Sequence, residues 1–214
     1  MSLTSPSTTA RVLVVLAGRG ALPFTTLHGA PLYHHALAAA RHLGADLLVD
    51  PGHGQRGAVD HDLLPAGCRL LTPDDWWATR GAGPVLLHDA LCPLAPADFL
   101  TAMADRAAAR PAASAAAVRP VTDTLKTVLG DQIEGTIDRD RIATVVSPLL
   151  LGAAALDALD GPPPFEDFAA LVALARKLGD VELVRAPSVA RRVADESSVH
   201  LLESVVEMSR QLRP

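Results

Sequence analysis

Aromatic residues, cysteine and long apolar runs are all scarce in this chain. Phe, Trp and Tyr together make up 3% of 214 residues although 49% are hydrophobic, so a large core must be built from Ala, Leu and Val. Cys68 and Cys92 form no CxxC pair, and two free thiols in a reducing cytosol is the simplest reading. No run approaches the length of a membrane helix. The opening MSLTSPSTTAR is polar and lacks the apolar centre of a signal peptide. Excess positive charge is also missing: the formal net charge is -5 with a pI near 5.9, which argues against nucleic acid or an anionic membrane as partner. There is no internal repeat. These absences predict a cytoplasmic protein with a flexible segment over 1–10 and a single domain over 11–214.

What is present is an alternation of strand and helix. RVLVVLAG (11–18), ADLLVD (45–50), CRLL (68–71), VLLHD (85–89), SAAAVRPV (114–121) and DVELVRA (180–186) read as strands, the first as a buried, parallel one. PLYHHALAAARHLG, APADFLTAMADRAAARP, PPPFEDFAALVALARKLG and ESSVHLLESVVEMSRQL read as helices, the first stopped by Gly44. Between them, TLKTVL and IEGTID flank Gly130-Asp131 as a hairpin. The pattern predicts an α/β fold: a doubly wound, mostly parallel, Rossmann-like nucleotidyltransferase sheet, with a projecting β-hairpin arm at about 121–146.

Candidate chemistry gathers at strand ends, where open α/β sheets bind ligands. Ala17, Gly18, Arg19 and Gly20 follow the first strand, and glycine amides there suit a phosphate. The stretch is neither GxGxxG nor GxxxxGK[ST], so an ordinary strand-to-helix turn is the competing reading. Asp89 ends the fourth strand, where a carboxylate suits Mg²⁺ or a hydroxyl-rich substrate, or caps its own turn. His53, Asp60, His61 and Asp62 lack metal-ligand spacing and read as a solvated loop. No GxSxG elbow supports a serine nucleophile. Of the adjacent Trp76 and Trp77, one is expected in the core and the other partly exposed.

Three segments in order, HDALCP (88–93), PVTDTLKTV (120–128) and TIDRDRIATVVSP (136–148), together resemble the methylerythritol phosphate cytidylyltransferases, and ARRVADESSVHLLE (190–203) resembles that family's C-terminal box. The resemblance implies attack of a sugar-alcohol phosphate on the α-phosphorus of CTP with release of pyrophosphate. It implies Mg²⁺ with the nucleotide, no metal ligand among the protein residues, and a homodimer in which the arm crosses to the second subunit. Carried onto this chain, it makes Asp89 and Arg192 the catalytic pair, with Arg192 where the family has lysine. Thr124, Arg139 and Ser147 become the acceptor-phosphate ligands, and Ala17, Gly18, Arg19 and Gly20 the nucleotide loop.

The departures lie on the donor side. The loop is short, no lysine precedes Lys126, and TPDDWWATRGAG replaces a glycine-rich nucleotide segment. Cys92 stands where the family has arginine, and Phe165 where it has threonine. Each lost charge-assisted contact removes about 1.5–3 kcal/mol, so two cost on the order of 10²–10⁴ in rate unless Arg19, Arg56 or Arg80 compensates. Three readings follow: a divergent cytidylyltransferase-like enzyme, a degenerate dimeric paralogue that binds a phosphorylated ligand or a protein partner without turnover, and a glycosyltransferase-like enzyme with another nucleotide-linked donor.

Overall fold

The computed structural model describes residues 10–211; the segment expected to be flexible lies outside them except for Ala10. In chain order the elements are β1 (Arg11–Val15), β2 (Thr26–Leu27), β3 (Ala30–Pro31), α1 (Leu32–Ala40), β4 (Asp46–Leu48), α2 (His53–Ala58), β5 (Leu70–Leu71), α3 (Pro73–Thr79), β6 (Val85–Asp89), α4 (Ala97–Ala109), β7 (Ser114–Pro120), β8 (Leu125–Leu129), β9 (Gln132–Ile137), β10 (Ala143–Leu151), α5 (Ala153–Asp157), α6 (Phe168–Leu178), β11 (Val181–Arg185) and α7 (Glu196–Gln211). Seven strands form the central sheet in the order β11-β7-β10-β6-β1-β4-β5. All neighbours are parallel except β10, which runs antiparallel to both β6 and β7. The expected doubly wound, mostly parallel sheet is therefore present.

Both faces of the sheet are covered, which is why β1 is apolar without alternation. Val12 and Val14 pack with Tyr33, Ala36 and Leu37 of α1 and Leu100 and Met103 of α4. Leu13 and Val15 point the other way, toward Trp76, Phe165, Phe168 and Leu171. Burying a leucine or valine contributes about 1.5–3 kcal/mol each, so the scarcity of aromatics is made up by numbers. Trp76 is in this core and Trp77 is half-buried, with the Arg80 guanidinium 3.8 Å from its ring centre.

The chain runs outward from β1 through β4 to β5, then returns to β6 on the other side of β1. That reversal makes a crevice at the carboxyl ends of β1 and β6, the place where such sheets take ligands. Five elements escaped the sequence reading, among them the short α5 (Ala153–Asp157). The glycines of PGHGQRG do not prevent the six-residue α2, the short β2–β3 pair precedes α1, and ATVVSPLLL is β10. The hairpin β8–β9 forms a two-stranded sheet of its own, and Val128, Leu129 and Ile133 on it are exposed, Leu129 to 69%. No helix among the described residues is long and apolar enough to cross a membrane.

Candidate active site

Side-chain alternation along β6 sends His88 and Asp89 to opposite faces. Asp89 follows Leu87 into the crevice, and its side chain is 2% exposed. Its Oδ1 accepts from Arg19 Nε and from the Leu91 amide, each at 3.0 Å, and its Oδ2 accepts from Arg192 Nε at 3.0 Å. A carboxylate so held keeps one acceptor position on Oδ2. The two arginines differ greatly in surroundings. The Arg192 side chain is 42% exposed, whereas that of Arg19 is 1% exposed. The Arg19 guanidinium also donates from Nη1 to the Ala17 and Glu166 carbonyls at 3.1 and 2.7 Å, and from Nη2 to Phe165 at 3.1 Å. Its carbon centre lies 5.4 Å from the middle of the Phe168 ring.

The other face holds the second half of the arrangement. Ser147 Oγ lies 2.6 Å from His88 Nδ1 and accepts from the Asp89 amide at 2.8 Å. Burial, opposed by the nearby Asp89 charge, lowers the His88 pKa to about 4, so the ring is neutral at pH 7. Its Nε2 is buried without a partner among the described residues. Cys92 is also fully buried, and burial, with Asp89 adding to it, pushes its thiol well above the ordinary value. It is an inert, packed thiol.

The expected residues fall into three groups. Asp89, Arg192, Arg19 and Ser147 are brought together, and two of them, Arg19 and Ser147, bond within the fold. Ser147, expected as a phosphate ligand, is buried and spends its hydroxyl on His88 and the Asp89 backbone. Arg19, expected as a triphosphate cation, directs its guanidinium at Asp89 and at backbone carbonyls. Around it, the Ala17 amide bonds Leu48 O, the Gly18 amide bonds Asp50 Oδ1 at 2.7 Å, and the Arg19 amide bonds Leu16 O. The nucleotide loop of Ala17, Gly18, Arg19 and Gly20 is thus largely satisfied from within. Gly20 is exposed, and a Cβ there would meet nothing within 4 Å. Thr124 and Arg139 form the third group. Both are exposed at the base of the hairpin, and Arg139 Nη1 donates to Thr122 O at 2.7 Å. Neither has a hydrogen bond or ion pair to the Asp89 cluster among the described residues.

Sequence reasoning missed the residues that close this loop. Gln55 Nε2 donates to the carbonyls of Leu16 and Gly20, and its Oε1 accepts from the Asp50 amide. It sits on α2, in a glycine-rich stretch that reads as loop. The 165–166 backbone presses so close that a Cβ on Gly18 would stand 2.3 Å from Glu166 Cβ. The Gly18 φ of +73° is a second reason for glycine there.

Solved structures share this arrangement of elements. The 2-C-methyl-D-erythritol 4-phosphate cytidylyltransferase of Thermus thermophilus superposes with a TM-score of 0.68 at 22% identity, over 93% of this chain and 99% of that one. The 4-diphosphocytidyl-2C-methyl-D-erythritol synthase of Anaerococcus prevotii gives 0.70 at 12% identity, over 94% and 97%. The chain has the cytidylyltransferase fold. In sequence, 109 residues are 41% identical to the bifunctional enzyme IspD/IspF of Solidesulfovibrio magneticus, covering 51% of this chain and 24% of that protein. The chain thus spans about a quarter of that relative's length, and the resemblance to the methylerythritol phosphate cytidylyltransferases is borne out. No protein-family profile matches the chain.

Within the cytidylyltransferase fold, the residues here do not make a resident Mg²⁺ cage. Mg²⁺ asks for several oxygens in a near-octahedral array. Asp89 faces two guanidiniums instead, and no group of three or more metal-ligating side chains exists among the described residues.

Proposed function

We propose that the chain is a divergent, cytidylyltransferase-like nucleotidyltransferase, acting on CTP and a sugar-alcohol phosphate. The observation that carries this is the Asp89–Arg192 pair at the carboxyl end of β6, the acceptor side of the resemblance. Arg192 keeps one guanidinium edge toward solvent and meets the acceptor phosphate, while Asp89 fixes that guanidinium through Nε and offers its remaining Oδ2 position to a substrate hydroxyl. The acceptor phosphate oxygen then attacks the α-phosphorus of CTP and pyrophosphate leaves. Such a step rests on positioning and charge neutralisation more than on covalent chemistry. Thr124 and Arg139 would reach the site from the hairpin of a second subunit, which makes the active form a homodimer.

A second reading has its own observation. Arg19, the cation nearest the donor loop, is fully occupied within the fold, which favours a protein that holds a phosphorylated ligand without turnover. One experiment separates the two. Purified protein is given Mg²⁺, CTP and methylerythritol phosphate, and both pyrophosphate release and thermal stabilisation are followed. Release at enzyme-like rates establishes the first reading. Stabilisation by the sugar phosphate but not by CTP, with no release, establishes the second.

A further inference from the structure

Two arginines hold one carboxylate, and their surroundings assign them different work. Arg19 donates from all three of its nitrogens, to Asp89 Oδ1 and to the carbonyls of Ala17, Phe165 and Glu166. A guanidinium is a planar fork, so these bonds fix its plane against the loop after β1, the end of β6 and the 165–166 backbone just before α6 together. The carboxylate it grips gains a third anchor from the Leu91 amide on the same oxygen, Oδ1. Oδ1 is thereby saturated with two donors, which leaves Oδ2 directed at Arg192.

We propose that Arg19 is a positioning residue: it aims the Asp89 carboxylate so that Oδ2 presents the Arg192 guanidinium to a phosphorylated ligand, and it never touches that ligand itself. The inference deepens the acceptor-side reading and rests on it. It places the cation of the β1 loop on the acceptor side of the site, behind the carboxylate, and leaves the donor side to other groups. Lysine at position 19 keeps the charge but has no fork, so it cannot hold Asp89 and the Phe165 and Glu166 carbonyls at once.

The test follows the arginine Nε–H resonances by nitrogen-labelled magnetic resonance. In the wild-type chain the Arg19 Nε–H should exchange at least about 100-fold more slowly than that of exposed Arg139, as expected of a buried, bonded group. Exchange as fast as that of Arg139 overturns the proposal without any variant or ligand. In Arg19→Lys, with the far-ultraviolet dichroism unchanged, the Arg192 Nε–H should shift and lose protection because Asp89 is no longer aimed. An unmoved Arg192 signal in a folded variant also overturns it. On titration with methylerythritol phosphate, the Arg192 side-chain signals should move while the Arg19 Nη signals stay. Movement of the Arg19 Nη signals as large as that of Arg192 would mean direct contact and overturn the positioning role. If turnover is measured, Arg19→Lys should lower kcat by about tenfold or more with KM little changed. Absence of any ligand response removes the functional reading alone, since the exchange rates still judge the placement of Arg19.

Discussion

The crevice end of β6 and the base of the β8–β9 hairpin both carry residues expected to bind the acceptor, yet their surroundings are opposite. At the crevice, Arg19, Asp89, His88 and Ser147 are buried and bonded to one another or to backbone. At the hairpin, Thr124 and Arg139 are exposed, beside apolar side chains that also face outward. The first set has a sufficient explanation in folding, because buried polar groups must be paired. The second has none, and exposed polar residues that fold stability does not require are the better marks of binding.

The contrast can be broken by substitution, and the largest effect belongs to the buried pair. Arg19→Met leaves Asp89 desolvated with only Arg192 as a charged partner, and should cost about 3–5 kcal/mol in urea unfolding. A loss below about 1 kcal/mol would show that the crevice is wetter and looser than its hydrogen bonds imply. Next comes pH. His88 has a folded pKa of about 4 against an ordinary 6.5, so between those values the unfolded chain binds the extra proton. Stability contributed by the neutral ring is fully present above pH 6.5 and is lost as pH falls toward 4, on the order of 3 kcal/mol. Unfolding at about pH 4.5 and pH 7 should show this slope in wild type, and His88→Asn should flatten it. Ser147→Ala strips one partner from His88 and one from the Asp89 amide, and about 1–3 kcal/mol should go with it. The smallest stability effect is expected at Arg139→Ala, within about 0.5 kcal/mol, while affinity for methylerythritol phosphate falls about tenfold or more. Titration calorimetry on that variant sharpens the comparison; an unchanged affinity would detach the hairpin from the site.

The sheet was legible because its causes are local. β1 and β6 are continuous apolar runs, and the Gly130 turn, with a φ of +59°, marks the hairpin. β10 was not, because its residues follow an exposed arm and its pairing with β7 shifts register between Val145 and Leu149. At the site, the resemblance singled out Asp89 and Arg192, which the fold joins by a 3.0 Å bond, whereas the burial of Arg19 was not legible. An arginine in a glycine loop reads as a phosphate ligand. What buries it is Asp89, 70 residues away, and the Glu166 carbonyl, 147 residues away, and neither distance leaves a trace in local pattern.

The web joining Arg19, Asp89, Ser147 and His88 has a bearing on descent. Selection for a folded chain is by itself enough to keep these four residues through long divergence, whether or not anything is transferred in the crevice. Drift after loss of activity would show elsewhere first, at Thr124 and Arg139, which are exposed at the base of the hairpin. In comparing relatives of this chain, the hairpin is therefore the clock of lost chemistry, and the His-Asp turn is a record of ancestry.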